Sequence, residues 1–155
     1  MVSTKVDTSE LDKLLDDFKK ELKEVKGVEI GWLESEKALN HDKTPSELSQ
    51  GEVARRLDAG APEDGLPARP FISNIYKKNK LWGKRLRLLF QSEPSLKNIM
   101  VKFGETIRND IIDNIDSNMP PPNSPKTIEK KKGSSHTLID TGHMKQSIHV
   151  ELMKE

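Results

Sequence analysis

Between residues 95 and 117 the apolar positions Leu96, Ile99, Met100, Phe103, Ile107, Ile111 and Ile115 recur three or four residues apart. That spacing predicts a helix of about six turns with one continuous apolar face. Ser95 offers a hydroxyl cap at its start, and Met119-Pro120-Pro121-Pro122-Asn123 ends it. No other stretch is as strongly core-forming, so the remaining elements have to pack against this helix.

Leu11, Leu14, Leu15, Phe18, Leu22 and Val25 follow the same period behind Thr8 or Ser9. They predict an N-terminal amphipathic helix within residues 1–26 that stops near Gly27. Its apolar face can be covered by the chain's own sheet or by a neighbouring subunit, and packing within the chain is the expectation. Val28, Ile30 and Trp32 then alternate with Glu29, Gly31 and Leu33, which is the period of a strand. Asn40, His41, Asp42 and Pro45 mark a loop up to a Ser46 cap, after which Val53, Ala54 and Leu57 predict a short helix ending at Gly60. Phe71, Ile72, Ile75, Tyr76, Leu86, Leu89 and Phe90 suggest helical stretches with a break at Gly83. Ser124-Pro125 opens another short helix, closed by Lys130 to Gly133, with proline at the first position, where its missing N–H costs nothing. Ile148, Val150 and Leu152 form a final alternating strand.

The two clear strands are expected to pair antiparallel, or to join a further strand within residues 33–41. The fold class is therefore α+β: a small antiparallel sheet packed against several helices, with one long helix at about 95–117. A chain of 155 residues is the size of one domain, taken here as 1–155.

Composition narrows the functions. Charged and hydrophobic residues each make up 33%, with two Trp, one Tyr and four Phe, so the core is modest and long solvated segments or a partner are expected. A net charge of +1 gives no whole-protein field toward nucleic acid or membrane. The absence of cysteine removes disulfides, thiolate metal sites and thiol nucleophiles. No apolar run approaches the roughly 20 residues of a membrane span, and acidic residues stand where a signal peptide is apolar. The expectation is a protein made and kept on the soluble side, without membrane contact.

Catalytic patterns are few. Ile139-Asp140-Thr141-Gly142 has the form of an aspartic-protease signature, in which two aspartates share a proton across a dimer. Such an enzyme needs a β-rich body and a flap, whereas the patterning here is helical, so Asp140 or Thr141 is read as capping the turn through Met144. His41, His136, His143 and His149 lack the spacing that puts two ligands on one helical face, and no metal or cofactor is expected. No G-x-S-x-G elbow and no phosphate-cradling glycine loop is present. Two basic clusters remain: Lys77-Lys78-Asn79-Lys80 with Lys84, Arg85 and Arg87, and Lys130-Lys131-Lys132. They are read as solvated faces, with a small nucleic-acid-binding module as the alternative because Tyr76 and Trp82 stand beside the first cluster.

The segment Ala61 to Pro70, APEDGLPARP, holds three prolines and a glycine, which rules out regular helix or central strand and predicts an extended arm over 61–70. Arg69 and Phe71 are costly to leave in water. The arm is thus either a contact surface or packed on its own domain.

Three separated segments, G-L-P-A-R-P-F at 65–71, N-S-P-K-T-I at 123–128 and L-I-D-T-G-H-M-K-Q-S-I at 138–148, occur in an order and spacing that resembles the tail-completion, neck or virion-morphogenesis proteins of long-tailed bacteriophages and prophages. With Val28-Glu29-Ile30-Gly31-Trp32 the resemblance covers about residues 27–152. The family pattern before the arm, A-x-x-H-E-F-G, is replaced here by Ala54-Arg55-Arg56-Leu57-Asp58-Ala59-Gly60. The resemblance implies a structural, non-enzymatic subunit made in the bacterial host cytoplasm and located in the virion tail or neck. It implies a homo-oligomeric ring that meets the tail tube or tail terminator and the head–connector proteins, with incidental contact with passing phage DNA. Within it, Pro67, Arg69, Pro70 and Phe71 are expected to form an assembly surface. Leu138, Asp140, Thr141, Gly142 and Ser147 are expected to form the turn that supports the last strand.

Overall fold

The computed structural model describes residues 9–40 and 42–154. Thr8 as a cap and His41 as a loop residue fall outside them, as do the side chains of Leu11 and Asn79. The architecture is α+β. The N-terminal helix α1 (Ser9–Glu24) runs directly into strand β1 (Val25–Gly31). A small hairpin follows, β2 (Lys37–Leu39) and β3 (Pro45–Ser49), and leads into α2 (Gln50–Ala59). A 3-10 turn at Ser73–Lys78 then precedes α3 (Asn79–Ser92) and the long α4 (Leu96–Asp116). The chain continues through α5 (Pro125–Lys130), the single-turn α6 (His143–Gln146) and strand β4 (His149–Lys154).

Strands β1 and β4 pair antiparallel, with Val28 opposite Leu152 and Ile30 opposite Val150. The strand expected within 33–41 exists as β2, but it pairs with β3 in a separate two-stranded sheet. A two-stranded ribbon has too little apolar surface to stand alone in water and needs a helix behind it. The 21-residue α4 provides that backing, packing against both β1 and β4. Its buried positions Leu96, Ile99, Gly104, Ile111 and Ile115 lie on one face, as the spacing requires. Toward its C-terminal half, Ile111 and Ile115 join Ala54, Phe71, Ile75, Leu138, Met144 and Ile148 in the main core. Trp32 stands edge-on to the Phe71 ring, 6.4 Å between centroids, and donates its indole N–H to the Met144 carbonyl at 2.7 Å.

Several local expectations are corrected. Residues 45–49 are strand rather than helix, and α2 begins after Ser49. There the hydroxyl accepts from the Glu52 N–H while the Glu52 carboxylate accepts from the Ser49 N–H. Helix α3 runs through Gly83 without a break, and nothing lies within 4 Å of the position a Cβ would take there. Helix α1 is not covered by the chain's own sheet: Leu14, Leu15 and Leu22 stay exposed while its C-terminal end leans on α4 and β1.

The segment 61–70 is not an extended arm. Ala61 and Leu66 exchange both backbone hydrogen bonds, at 2.8 and 3.0 Å, around a 3-10 turn at Pro62–Asp64. Gly60 makes this reversal possible: it sits at φ +78°, and a Cβ on it would come 2.7 Å from the Ala68 nitrogen. Arg56 and Asp64 form an ion pair across the loop. No helix among the described residues is long and apolar enough to cross a membrane.

Candidate functional site

Pro67, Arg69, Pro70 and Phe71, the four residues expected as an assembly surface, turn out to be divided. Arg69 is 3% exposed and Phe71 fully buried, Pro70 is half-buried, and Pro67 alone stays at the surface. The correction has a physical cause. The Phe71 ring buries the largest apolar surface in this stretch, and the Arg69 guanidinium finds internal acceptors that replace water.

Those acceptors come from the second motif segment. Arg69 donates from Nε to the Pro121 carbonyl at 3.1 Å and from Nη2 to the Asn123 side-chain oxygen at 3.3 Å. Asn123 uses its amide nitrogen on the carbonyls of Ser135 and His136, at 3.3 and 2.9 Å. Immediately after it, the Ser124 hydroxyl accepts from the Thr127 N–H and Pro125 takes the first position of α5, which turns the helix so that Lys131 points inward. Lys131 then donates to the carbonyls of His136 and Ile139, at 2.9 and 2.8 Å. Side-chain amide, guanidinium and ammonium thus hold together the segments around 69, 123 and 136–139.

Burial pushes the Lys131 ammonium below its ordinary pKa; the Asp140 carboxylate opposes this and the Arg69 charge adds to it. Burial likewise lowers Arg69. His136 accepts the Ile139 N–H on Nδ1 and faces the Asp116 carbonyl with Nε2 at 3.3 Å, so the ring proton sits on Nε2.

The third motif segment completes the wall. Leu138 and Ser147 are buried, Thr141 and Gly142 half-buried, and Asp140 exposed. Gly142 takes φ +78° at the start of α6, and the Thr141 hydroxyl accepts the His143 N–H at 3.2 Å. The Thr141 hydroxyl thus caps the turn into α6. Ser147 donates its hydroxyl to the His143 carbonyl at 2.8 Å, closing α6 before β4. Of the five residues expected to support the last strand, four, all but Ser147, border a cleft of about 560 Å³. The same cleft is walled by Pro67 and Arg69 from the first segment, by Asn123 and Thr127 from the second, and by Pro121 and Lys131 on either side of the second. Thr137 also lines it, and its buried hydroxyl oxygen has no hydrogen-bond partner among the described residues.

The chemistry of this cleft is that of a polar brace. Asp140 stands at the surface and acts electrostatically on Lys131. Among the described residues no three His, Asp or Glu side chains converge as a metal site. His143 and His149 both approach Glu36, at 3.7 and 3.3 Å, and so tie α6 and β4 to the turn after β1.

Sequence reasoning missed a second cluster. Asp110, 5% exposed on α4, accepts the Trp82 indole N–H at 2.8 Å and pairs with Arg85 at 3.1 Å and Lys78 at 3.4 Å. Burial pushes its carboxyl up, but the Trp82 hydrogen bond and the two cations outweigh this and hold it below its usual value. The signal was a lone aspartate on the apolar face of the long helix, where a buried charge requires partners. Trp82, Lys78 and Arg85 are consequently engaged inside the fold, while Lys77, Lys80, Lys84, Arg87 and Tyr76 remain exposed. Compared with known proteins, the chain matches no family model, no curated protein and no solved structure.

Proposed function

We propose that this protein is a structural subunit of a phage virion, of the tail-completion or neck type, which assembles as a ring at the tail end and permits the tail to join the head. One observation carries the reading: the three segments on which the resemblance rests, far apart in sequence, line a single cleft, with Arg69 bonded to Asn123 and with Lys131, just beyond the second segment, bonded to Ile139 of the third. Such mutual dependence is what a shared scaffold requires, and it gives the motif residues a physical task other than catalysis. Arg69 braces the loop, Asn123 and Lys131 hold the 135–139 crossing, and Thr141 with Ser147 sets the start of β4. The exposed apolar residues of α1 and α3 suit a subunit that completes its packing in an assembly. The partners are further copies of the chain, the tail tube or tail terminator, and the head–connector proteins, with the virion as the location.

Electron microscopy of particles released from the bacterial host, with a gold-labelled antibody against this chain, tests the proposal. Label at the head–tail junction or upper tail end is the expected result. Abundant protein in the lysate beside intact, unlabelled particles would overturn it.

A further inference from the structure

Two helices present apolar stripes that the chain does not cover. On α1, Leu14, Leu15 and Leu22 are 50%, 47% and 54% exposed; on α3, Leu81 and Leu88 are 45% and 63% exposed. Leu81 and Leu88 are two helical turns apart, and Leu14, Leu15 and Leu22 share a face with the half-buried Phe18, so each set forms a stripe. The stripes match in length, about 12 Å from Leu14 to Leu22 and about 10.5 Å from Leu81 to Leu88 at the usual helical rise.

Their charges are opposite. Over Ser9–Glu24, α1 carries six acidic residues against four lysines, with the excess in Ser9–Asp17, where Glu10, Asp12, Asp16 and Asp17 stand against Lys13. Helix α3 carries Lys80, Lys84, Arg85 and Arg87 and no acidic residue. Lys80, Lys84 and Arg87 are exposed beside the Leu81–Leu88 stripe. An apolar stripe on a net-acidic helix and one on a wholly basic helix complement each other in both burial and sign.

We infer that α1 of one copy docks on α3 of the next. The contact joins two different surfaces present on every copy, so a pair of subunits keeps one α1 and one α3 free. Growth then continues head to tail until the circle closes. Pairing α3 with α3 would place like charges together, and an antiparallel α1–α1 pair would stop at two copies. This inference deepens the ring reading above, and it rests on that reading for the ring's place in the virion.

Charge-reversal exchange, read by sedimentation velocity on the full chain, tests it. The Lys84→Glu/Arg87→Glu pair and the Asp16→Lys/Asp17→Lys pair alter exposed side chains, Asp16 giving up only a surface ion pair with Lys19, and Asp16 and Asp17 lie beyond the first turn of α1. Circular dichroism should therefore match the parent. The parent chain should form oligomers larger than dimers that weaken at high salt. Either variant alone should self-associate at least about tenfold more weakly. Mixing the two in equal amounts should restore the oligomers, because each reversed surface then meets its complement on the other variant.

A parent chain that stays monomeric at every concentration, oligomers indifferent to both reversals, a mixture that fails to recover, or growth that stops at two copies would each overturn the α1–α3 contact. Unchanged self-association with lost binding to duplex DNA in the Lys84→Glu/Arg87→Glu variant would also overturn it and assign the basic stripe to nucleic acid. Gold label at the neck together with reversal-indifferent oligomers removes this contact alone, whereas unlabelled intact particles remove the structural reading itself.

Discussion

Gly104 of α4 lies directly against Val150 of β4: a Cβ on the glycine would come 2.5 Å from Val150 Cγ1 and 2.7 Å from Val28 Cγ2. Both neighbours are β-branched and belong to opposite strands of the ribbon, so neither has a flexible end to swing aside. Gly104→Ala should therefore destabilise by about 1–2 kcal/mol, the overpacking exceeding the roughly 1 kcal/mol that alanine gains in a helix. Gly83→Ala on the open face of α3 should change sign and stabilise by about 0.5–1 kcal/mol. Urea unfolding followed by circular dichroism measures both, and a stabilised Gly104→Ala would show that the sheet sits farther from α4.

Asp110 makes a second test because its partners span two elements. Asp110→Ala leaves the Trp82 N–H without its acceptor and removes the counter-charge of Lys78 and Arg85, for a loss of about 2–3 kcal/mol. Its folded pKa lies below the unfolded one, so its stabilisation is complete above the unfolded value of about 4 and disappears as pH falls through the folded value. Thermal unfolding between neutral pH and strongly acid pH should show a steeper acid limb in the parent than in Asp110→Asn.

Arg69 and Phe71 now predict instability rather than lost contacts between subunits. Phe71→Ala empties a fully buried site and should cost about 3–5 kcal/mol. Arg69→Ala strands the Asn123 oxygen and the Pro121 carbonyl and should cost about 2–4 kcal/mol. Arg69→Lys should recover little, since an ammonium lacks the fork that reaches both acceptors. Denaturation midpoints decide, and a fully stable Arg69→Ala would show that the brace is dispensable.

Ser49→Ala removes one half of the capping box at the start of α2 and should cost about 1 kcal/mol. Hydrogen exchange of the first α2 amides should accelerate more than that of α4.

How much was legible differs by element. The long helix, its Ser95 cap, the Ser124-Pro125 start and the β1–β4 pairing follow from periodicity and capping chemistry that act locally or over a clear alternation. The β2–β3 hairpin did not, because Lys-Ala-Leu and Pro-Ser-Glu-Leu-Ser carry hardly any alternating apolar pattern and are strands by pairing with each other. The start of α2 was marked in the sequence by Ser49-x-x-Glu52. The motif residues were found, but their surroundings were not. Whether an arginine beside prolines faces water or carbonyl oxygens depends on segments some fifty positions away, and no local rule reaches that far.

The pairing of β1 with β4 also sets a timetable. As the chain leaves the ribosome, β1 emerges first and its partner only after α4 and everything between have been made. At ordinary elongation rates that is a delay on the order of ten seconds. For that interval the groove around Gly104 is half built and the apolar side of α4 is uncovered. Nascent chains caught at this stage are natural clients for holdase chaperones, and messages truncated before β4 should yield aggregates in place of partly working subunits.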